Sequence, residues 1–223
     1  SADFWSTITS KIIKVETLEA AELVKLANNT FRDLSFAYSN ELALKCSEYN
    51  LNAFSLISAA NDGYPRNQIP LPSPGVGGTC LTKDPILYSS NLNGIVNPTL
   101  GTYGRNVNNK AGAYVLKILS RYSRKNKILI SKMKILIVGI AFKGEPANYD
   151  IRNSVPLEVT SKIKDKCKKL YLWDATIKAK HGLIKNLIAD KDLKKIVNSS
   201  DAILILNNNR ENIRITELIS GNK

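Results

Sequence analysis

The stretch KILIVGI at residues 134–140 decides the fold of this chain. After its first lysine the run is continuously apolar, which is typical of a β-strand buried on both faces of a parallel sheet. Apolar and helical patterns alternate after it, with strands predicted at 170–173 and 202–206 and helices at 155–168 and between 181 and 198. This alternation predicts an α/β domain with a parallel sheet over residues 126–223.

The chain before this run has the pattern of helices and loops. Helical spacing of apolar residues predicts a long helix at 17–49, a short one at 53–60 and further helices at 83–92 and 98–123. The long helix has an apolar stripe formed by Leu23, Leu26, Ala27, Phe31, Leu34, Tyr38 and Leu42. Residues 61–74 contain four prolines, which exclude regular structure and stiffen the loop. An all-α domain is therefore predicted over residues 1–125, with a long helix suited to a scaffold or a subunit interface.

Composition and charge limit the class of protein. A chain of 223 residues that is 43% hydrophobic can bury one large core or two smaller ones. Its longest apolar runs are far shorter than the roughly 20 residues of a membrane span, and residues 1–10 lack the pattern of a signal peptide. We therefore expect a soluble cytoplasmic protein. The net charge of +13 would attract polyanions, but the lysines fall on predicted helix and loop faces without interleaved aromatics, which favours a solvated basic face over a nucleic-acid groove.

The cysteines do not indicate a metal centre or a disulfide framework. There are three of them, widely spaced, and the single histidine, His181, has no ligand-like neighbour, so no metal site is predicted. Cys46 and Cys167 lie in helical patterns and are predicted to be small buried or half-buried residues. Cys80 differs from them because of its surroundings.

Cys80 lies in the stretch PGVGGTCLTKDP at residues 74–85. Its three glycines let the backbone approach a ligand closely, and a thiol, an ammonium and a carboxylate follow. Lys83 could hold the sulfur as a thiolate or neutralise an oxyanion, and Asp84 could order water or the lysine. The alternative is a glycine-rich loop before a helix, with a cysteine that is only small and apolar. The local pattern alone does not decide between the two.

Two other positions on the chain carry polar groups suited to a site. Lys25 and Asn29 lie four residues apart in the predicted long helix, so they project from one face, and asparagine is unfavourable there unless its amide is used. The turn GIAFKG at residues 139–144 lacks the Gly-x-Gly-x-x-Gly spacing that seats a pyrophosphate. We predict that it has lost ordinary dinucleotide binding and that Lys143 meets another anion. Arg152 could reach a phosphate, or the polar residues around it only begin a helix.

Taken in order, these motifs resemble those of the nucleotide-sugar 6-dehydrogenases, the UDP-glucose/GDP-mannose dehydrogenase family. The segments that carry the resemblance are AELVKLANN at 21–29, PR at 65–66, PGVGGTCLTKDP at 74–85, GIAFKG at 139–144 and DIRNS at 150–154. The resemblance covers almost all of the chain. The motif sequences are most similar to those of the branch that acts on UDP-N-acetyl-D-mannosamine, and UDP-glucose is the alternative substrate.

The resemblance implies oxidation of the sugar C6 alcohol to a carboxylate with two molecules of NAD. It implies that Cys80 attacks the intermediate aldehyde to give a thiohemiacetal and then a thioester, which water hydrolyses. Lys25 and Asn29 would stabilise the C6 oxyanion, Asp84 would handle protons or water, and Arg152 would contact NAD. The residues expected to contact the UDP-sugar are Arg66, Gly77, Lys83, Phe142 and Lys143.

The resemblance also implies a homodimer formed through the helical domain, and an N-terminal NAD-binding domain that precedes it in the family. Nothing before Thr17 matches that domain, and the final strand of the family is not matched after Ser220. We therefore expect a truncated α/β domain and an isolated chain that does not turn over substrate. The alternative functions are a catalytically incompetent fragment that dimerises and binds nucleotide sugars, and a basic nucleic-acid-binding protein.

Overall fold

The computed structural model describes residues 2–66, 68–178 and 184–220. His181 and part of the predicted helical region before residue 190 lie outside these ranges. Within them, no helix is both long and apolar enough to cross a lipid bilayer.

The first half of the chain consists of helices joined by loops. The helices are α1 Ala2–Ser6, α2 Leu18–Glu48, α3 Ala53–Asn61, α4 Asp84–Ser89 and α5 Leu100–Asn126. Thr17 begins α2 because its side chain accepts a hydrogen bond from the amide of Ala20. Among the described residues before 133, β-structure is limited to one isolated bridge between Ser90 and Val96.

The packing face of α2 is largely polar, and part of its apolar stripe faces outward, whereas Leu26, Leu34 and Leu42 of the stripe are half-buried. The buried positions of this helix are Thr30, Asp33, Ala37, Ser39, Asn40 and Cys46. Leu23, Phe31 and Tyr38 of the stripe are 52%, 71% and 58% exposed. Helix α5 meets α2 through small and polar residues, among them Gly104, against which the Leu34 side chain packs.

The second half contains a three-stranded parallel sheet. Its strands are β1 Lys134–Val138, β2 Lys169–Trp173 and β3 Ala202–Ile205, in the order β2-β1-β3. The helices that follow α5 are α6 Val155–Ile163, α7 Asp190–Ser199, α8 Arg210–Ile213 and α9 Ile215–Ser220. Ile135, Leu136, Ile137 and Val138 are fully buried in the central strand, which confirms the strand predicted from the apolar run.

Two predicted helices are shorter in the structure. Helix α6 ends at Ile163 because the chain must turn for the amide of Lys168 to reach the carbonyl of Met133 at the start of the sheet. The described residues before α7 are not helical: residues 184–186 form a turn, and the chain then pairs with β2, since Leu172 bonds to Asn186 and Ile188 on either side of Leu187. In both places sheet pairing overrides the local helical pattern.

Helix α5 packs against both halves of the molecule. Its first half lies on α2, whereas Val115 and Leu119 enter the core cluster on one face of the sheet, together with Ile135 and Val159. The other face of the sheet is covered by α7 and α9. The loops that precede α5 are therefore held at a fixed place relative to the sheet.

Candidate functional site

The loops after the three strands meet at one edge of the sheet, as expected for parallel strands. Asp174, which follows β2, accepts hydrogen bonds from the amides of Ile140 and Ala141 at 2.8 and 3.2 Å. The amides of Gly139, Phe142 and Gly144 donate to Trp173, Asp150 and Asn208, respectively. These five amides of the turn after β1 are therefore engaged within the protein. Loss of dinucleotide binding at this turn stays a prediction.

Cys80 lies on the turn that leads into α4, and its side chain is exposed. The amides of Lys83 and Asp84 both donate to the Cys80 carbonyl, at 3.1 and 2.8 Å. The thiol, the ammonium and the carboxylate predicted from the sequence thus belong to one turn.

Three of the predicted catalytic and substrate-binding side chains contact the carboxylate of Asp84. Its side chain is fully buried and accepts hydrogen bonds from Lys83 Nζ at 2.7 Å and from Asn29 Nδ2 at 2.6 Å. Lys25 Nζ lies 3.3 Å from the same carboxylate. The prediction that Lys25 and Asn29 project from one face of α2 is confirmed, and the structure brings that face to the Cys80 turn.

The electrostatics of this cluster keep its carboxylate and its neighbouring ammonium charged. Burial by itself raises the pKa of the Asp84 carboxyl, but the hydrogen bonds from Lys83, Asn29 and Lys25 outweigh burial and hold that pKa below its ordinary value. The hydrogen bond to Asp84 raises the pKa of Lys83, and attraction to the Cys80 sulfur contributes in the same direction. Asp84 thus stays a carboxylate and Lys83 a cation, which suits them to support an anion at or near the thiol.

The glycines before Cys80 pack tightly against the segment that follows the first turn of the sheet. The Gly78 amide donates to the carbonyl of Asn153 at 3.3 Å, and Asn153 Nδ2 donates to Thr82 Oγ1 at 3.3 Å. A Cβ on residue 77 would overlap the Asn153 carbonyl oxygen, and one on residue 78 would lie 2.7 Å from the ring of Phe142. Only glycine allows this close approach, so the loop at residues 74–83, here called the Cys80 loop, forms one continuous surface with the loops that follow the strands, here called the sheet loops.

The remaining predicted ligand-binding residues lie around this surface in different ways. Lys143 is half-buried, with its Nζ 5.5 Å from the centre of the Phe142 ring. Arg152 is exposed and bonds both oxygens of Asp150, which lowers the pKa of that carboxyl to about 2. Those bonds to Asp150 raise the pKa of Arg152, and attraction to the Cys80 sulfur adds to the effect. Arg66 is exposed on the proline-rich loop, and among the described residues it bonds to none of these groups.

Sequence reasoning missed a buried polar network beneath the Cys80 loop. Arg105 of α5 pairs with Asp33 of α2 at 2.7 Å, and their side chains are 4% and 1% exposed. The pKa of Asp33 is raised because burial outweighs the two effects that lower it, the charge of Arg105 and a hydrogen bond from Asn108. The overlooked signal is that Arg105 and Asn108 continue, at spacings of three and four residues, the helical stripe that contains Val115 and Leu119.

The family model, the related sequences and the related structures that match this chain agree on one family. Residues 19–110 match the central domain of the UDP-glucose/GDP-mannose dehydrogenase family. The chain is 34% identical over 194 residues to UDP-N-acetyl-D-mannosamine dehydrogenase from Pyrococcus horikoshii, across 86% of this chain and 42% of the relative. It is 36% identical over 146 residues to NDP-N-acetyl-D-galactosaminuronic acid dehydrogenase from Ralstonia nicotianae, across 65% of this chain and 32% of the relative.

A solved structure of the Pyrococcus horikoshii UDP-D-ManNAc dehydrogenase has the same fold. It superposes with a TM-score of 0.72 at 34% identity, covering 86% of this chain and 43% of that chain. The chain thus spans less than half the length of the relatives that it matches.

Proposed function

We propose, since this chain belongs to the UDP-glucose/GDP-mannose dehydrogenase family, that it supplies the nucleophile and the sugar-binding groups of an NAD-dependent nucleotide-sugar 6-dehydrogenase. The observation that carries the proposal is the Asp84 cluster. In it the buried carboxylate of Asp84, next to the turn of Cys80, contacts Lys83 of that turn and both Lys25 and Asn29 of α2. UDP-N-acetyl-D-mannosamine is the substrate that we propose because a relative named for that sugar matches over most of the chain. UDP-glucose is the alternative.

In the proposed reaction Cys80 acts on the aldehyde form of the sugar. Its sulfur attacks C6, the S–C bond forms, and the carbonyl electron pair moves onto O6. Lys25 and Asn29 would stabilise this oxyanion by charge and by a hydrogen bond, and protonation gives the thiohemiacetal. After oxidation to the thioester, water ordered by Asp84 attacks the carbonyl carbon and the thiolate leaves. When bound, NAD would accept the four electrons that the alcohol-to-carboxylate conversion removes, two per molecule.

The turn after β1 does not fit a dinucleotide, because five of its amides already donate to protein acceptors. We therefore assign no step of NAD chemistry to this turn. Arg152 remains our proposed contact with the cofactor, since its side chain is 71% exposed although it is paired with Asp150. Lys143 and Phe142, beside the Cys80 loop, are the proposed contacts with the nucleotide sugar, and we expect the protein to act in the cytoplasm.

Binding of nucleotide sugars to this chain is the first test. We expect calorimetry to detect binding of UDP, UDP-glucose and UDP-N-acetyl-D-mannosamine, and Lys143→Ala to weaken it roughly tenfold or more, the usual effect of losing a hydrogen bond to a charged group. Lys162→Ala is the matched control, because Lys162 lies on α6 and pairs with Glu158. Absence of binding by the unmodified chain would argue against the proposed function, whereas equal affinity in Lys143→Ala would remove only Lys143.

The proposed partner of the helical domain, which we place at residues 1–125, is a second copy of this chain. Leu23, Phe31 and Tyr38 expose more than half of their surface along one face of α2, and they lie on one helical stripe with Ala27. Contiguous apolar surface of this kind is typical of a protein interface. A helix of 31 residues offers a long surface for a symmetric contact.

Charge placed in this stripe should separate the two copies. We expect Phe31→Glu to convert the dimer to a monomer in sedimentation velocity over a dilution series, because a buried unpaired carboxylate is unfavourable. Leu92→Glu is the control, since Leu92 is a fully exposed apolar residue outside the stripe. A monomeric unmodified protein, or a dimer that persists in Phe31→Glu, would show that this face is not the interface.

A further inference from the structure

We propose that Arg105 is a positioning residue for the Cys80 thiol and acts through the backbone of the Cys80 loop, residues 74–83. The inference rests on the proposed function, in which Cys80 is the nucleophile. Arg105 does not touch the sulfur. Instead, Arg105 fixes the two ends of the short segment that contains Cys80.

The guanidinium of Arg105 brackets the segment that contains Cys80. Its Nη2 donates to the carbonyl of Val76 at 2.9 Å, and its Nη1 donates to the carbonyl of Leu81 at 3.0 Å. Between these anchors lie Gly77, Gly78, Thr79 and Cys80. Because two of these four residues are glycines, the segment has little stiffness of its own and depends on its anchors.

The guanidinium is itself held from two further sides. Nη1 bonds Asp33 Oδ1 at 2.7 Å, and Nε bonds Asn109 Oδ1 at 3.0 Å. Binding two carbonyls, a carboxylate and an amide at once requires a planar group with several fixed donors. A lysine at this position would keep the charge beside Asp33, but its single nitrogen could not reach both carbonyls in the same geometry.

The network extends to the beginning of the loop. Asn108 Nδ2 donates to Asp33, and Asn40 Nδ2 donates to Asn108 Oδ1 at 2.9 Å. Asn40 Oδ1 in turn accepts from the amide of Ser73 at 2.8 Å. One buried set of polar side chains thus anchors the chain at Ser73, directly before the loop, and at Val76 and Leu81 within it.

Stability alone does not account for this network. Buried ion pairs can often be replaced by apolar residues without loss of stability, and a frequent use of such pairs is to specify one arrangement. The arrangement specified here keeps Cys80 near two cations, Lys83 and Arg152, whose own pKa values the sulfur helps to raise. If the anchors are released, we expect the thiol to remain exposed but to lose this cationic environment.

Alkylation of Cys80 measures that environment without substrate or cofactor. Relative to free cysteine, the unmodified protein should react with anionic iodoacetate in preference to neutral iodoacetamide at low ionic strength, as measured by peptide mass spectrometry. We expect Arg105→Lys to reduce this preference by about fivefold, the factor that one unit charge about 4 Å away supplies in water. Cys46 is 2% exposed and should stay unmodified, which shows that the variant is folded.

Two further variants keep the test decisive. Leu119→Ala destabilises the same helix through the sheet core, 14 residues from Arg105, and should retain the iodoacetate preference. If Arg105→Lys does not fold, the double variant Asp33→Leu with Arg105→Met removes the anchors without an unpaired charge and should show the reduced preference.

Three results would overturn the inference: an unchanged preference in a folded Arg105 variant, the same loss in Leu119→Ala, or a loss that in the double variant too occurs only together with Cys46 modification. The assay also separates this inference from the proposed function. A reduced preference in a chain that binds no nucleotide sugar would retain the role of Arg105 and refute the proposed function.

Discussion

Replacing Asp33 by alanine should lower the free energy of unfolding by about 3–5 kcal/mol, the usual effect of removing one partner of a buried ion pair. The variant leaves the guanidinium of Arg105 buried, 3% exposed, without its carboxylate. It also removes the acceptor of a hydrogen bond from Asn108. Urea denaturation followed by circular dichroism measures the change.

The matched control for Asp33→Ala is an ion pair on the surface. Glu158→Ala breaks the pair with Lys162 on α6, where both side chains are more than a third exposed, and should change stability by no more than about 0.5 kcal/mol. The double variant Asp33→Leu with Arg105→Met should regain most of the loss, because it leaves no unpaired charge. Equal effects of Asp33→Ala and Glu158→Ala would contradict the view that the network is desolvated.

Replacing Gly77 by alanine should have the second-largest effect, about 3 kcal/mol of destabilisation, at the upper end of the range for overpacking. A Cβ at this position overlaps the carbonyl oxygen of Asn153, which is backbone and cannot rotate away. The Cys80 loop must then separate from the sheet loops. Loss of protection against hydrogen exchange at the Gly78 amide, which donates to that carbonyl, would report the separation directly.

Gly112→Ala is the control for Gly77→Ala. Gly112 lies within α5, and a Cβ there would make only ordinary contacts, at 3.4 Å or more, with Val155, Val159 and Pro74. Because alanine favours a helix more than glycine does, we expect this variant to be neutral or stabilised by up to about 1 kcal/mol. If Gly77→Ala were as stable as Gly112→Ala and kept the Gly78 amide protected, the close packing of the two loops would be wrong.

Sequence patterns predicted the elements well where local and tertiary preferences agree. The run at 134–140 predicted β1 because a central parallel strand is buried on both faces, and Thr17 predicted the start of α2 because its hydroxyl serves as a cap. The patterns failed where strand pairing competed with helix formation, as in the extended segment around Leu187. Pairing between distant segments leaves little trace in local spacing.

The candidate site was predicted in part. Cys80, Lys83 and Asp84 are neighbours in sequence, and Lys25 and Asn29 are one helical turn apart, so each set could be recognised separately. That Asp84 joins the two sets follows only from the packing of α2 against α4. The roles of these residues in catalysis stay predictions until the binding and variant experiments are done.

The sequence by itself determined the kinds of elements, their order along the chain and the chemical groups available near Cys80, because these depend on periodicity, caps and neighbouring side chains. Only the tertiary structure decided that Arg105 and Asp33 are buried under the Cys80 loop and that Gly77 lies against Asn153. The identity of a charged residue does not show whether its side chain is solvated or buried in an ion pair, and the identity of a glycine does not show whether another segment packs against it. The packing of distant segments sets the surroundings that give these residues their roles.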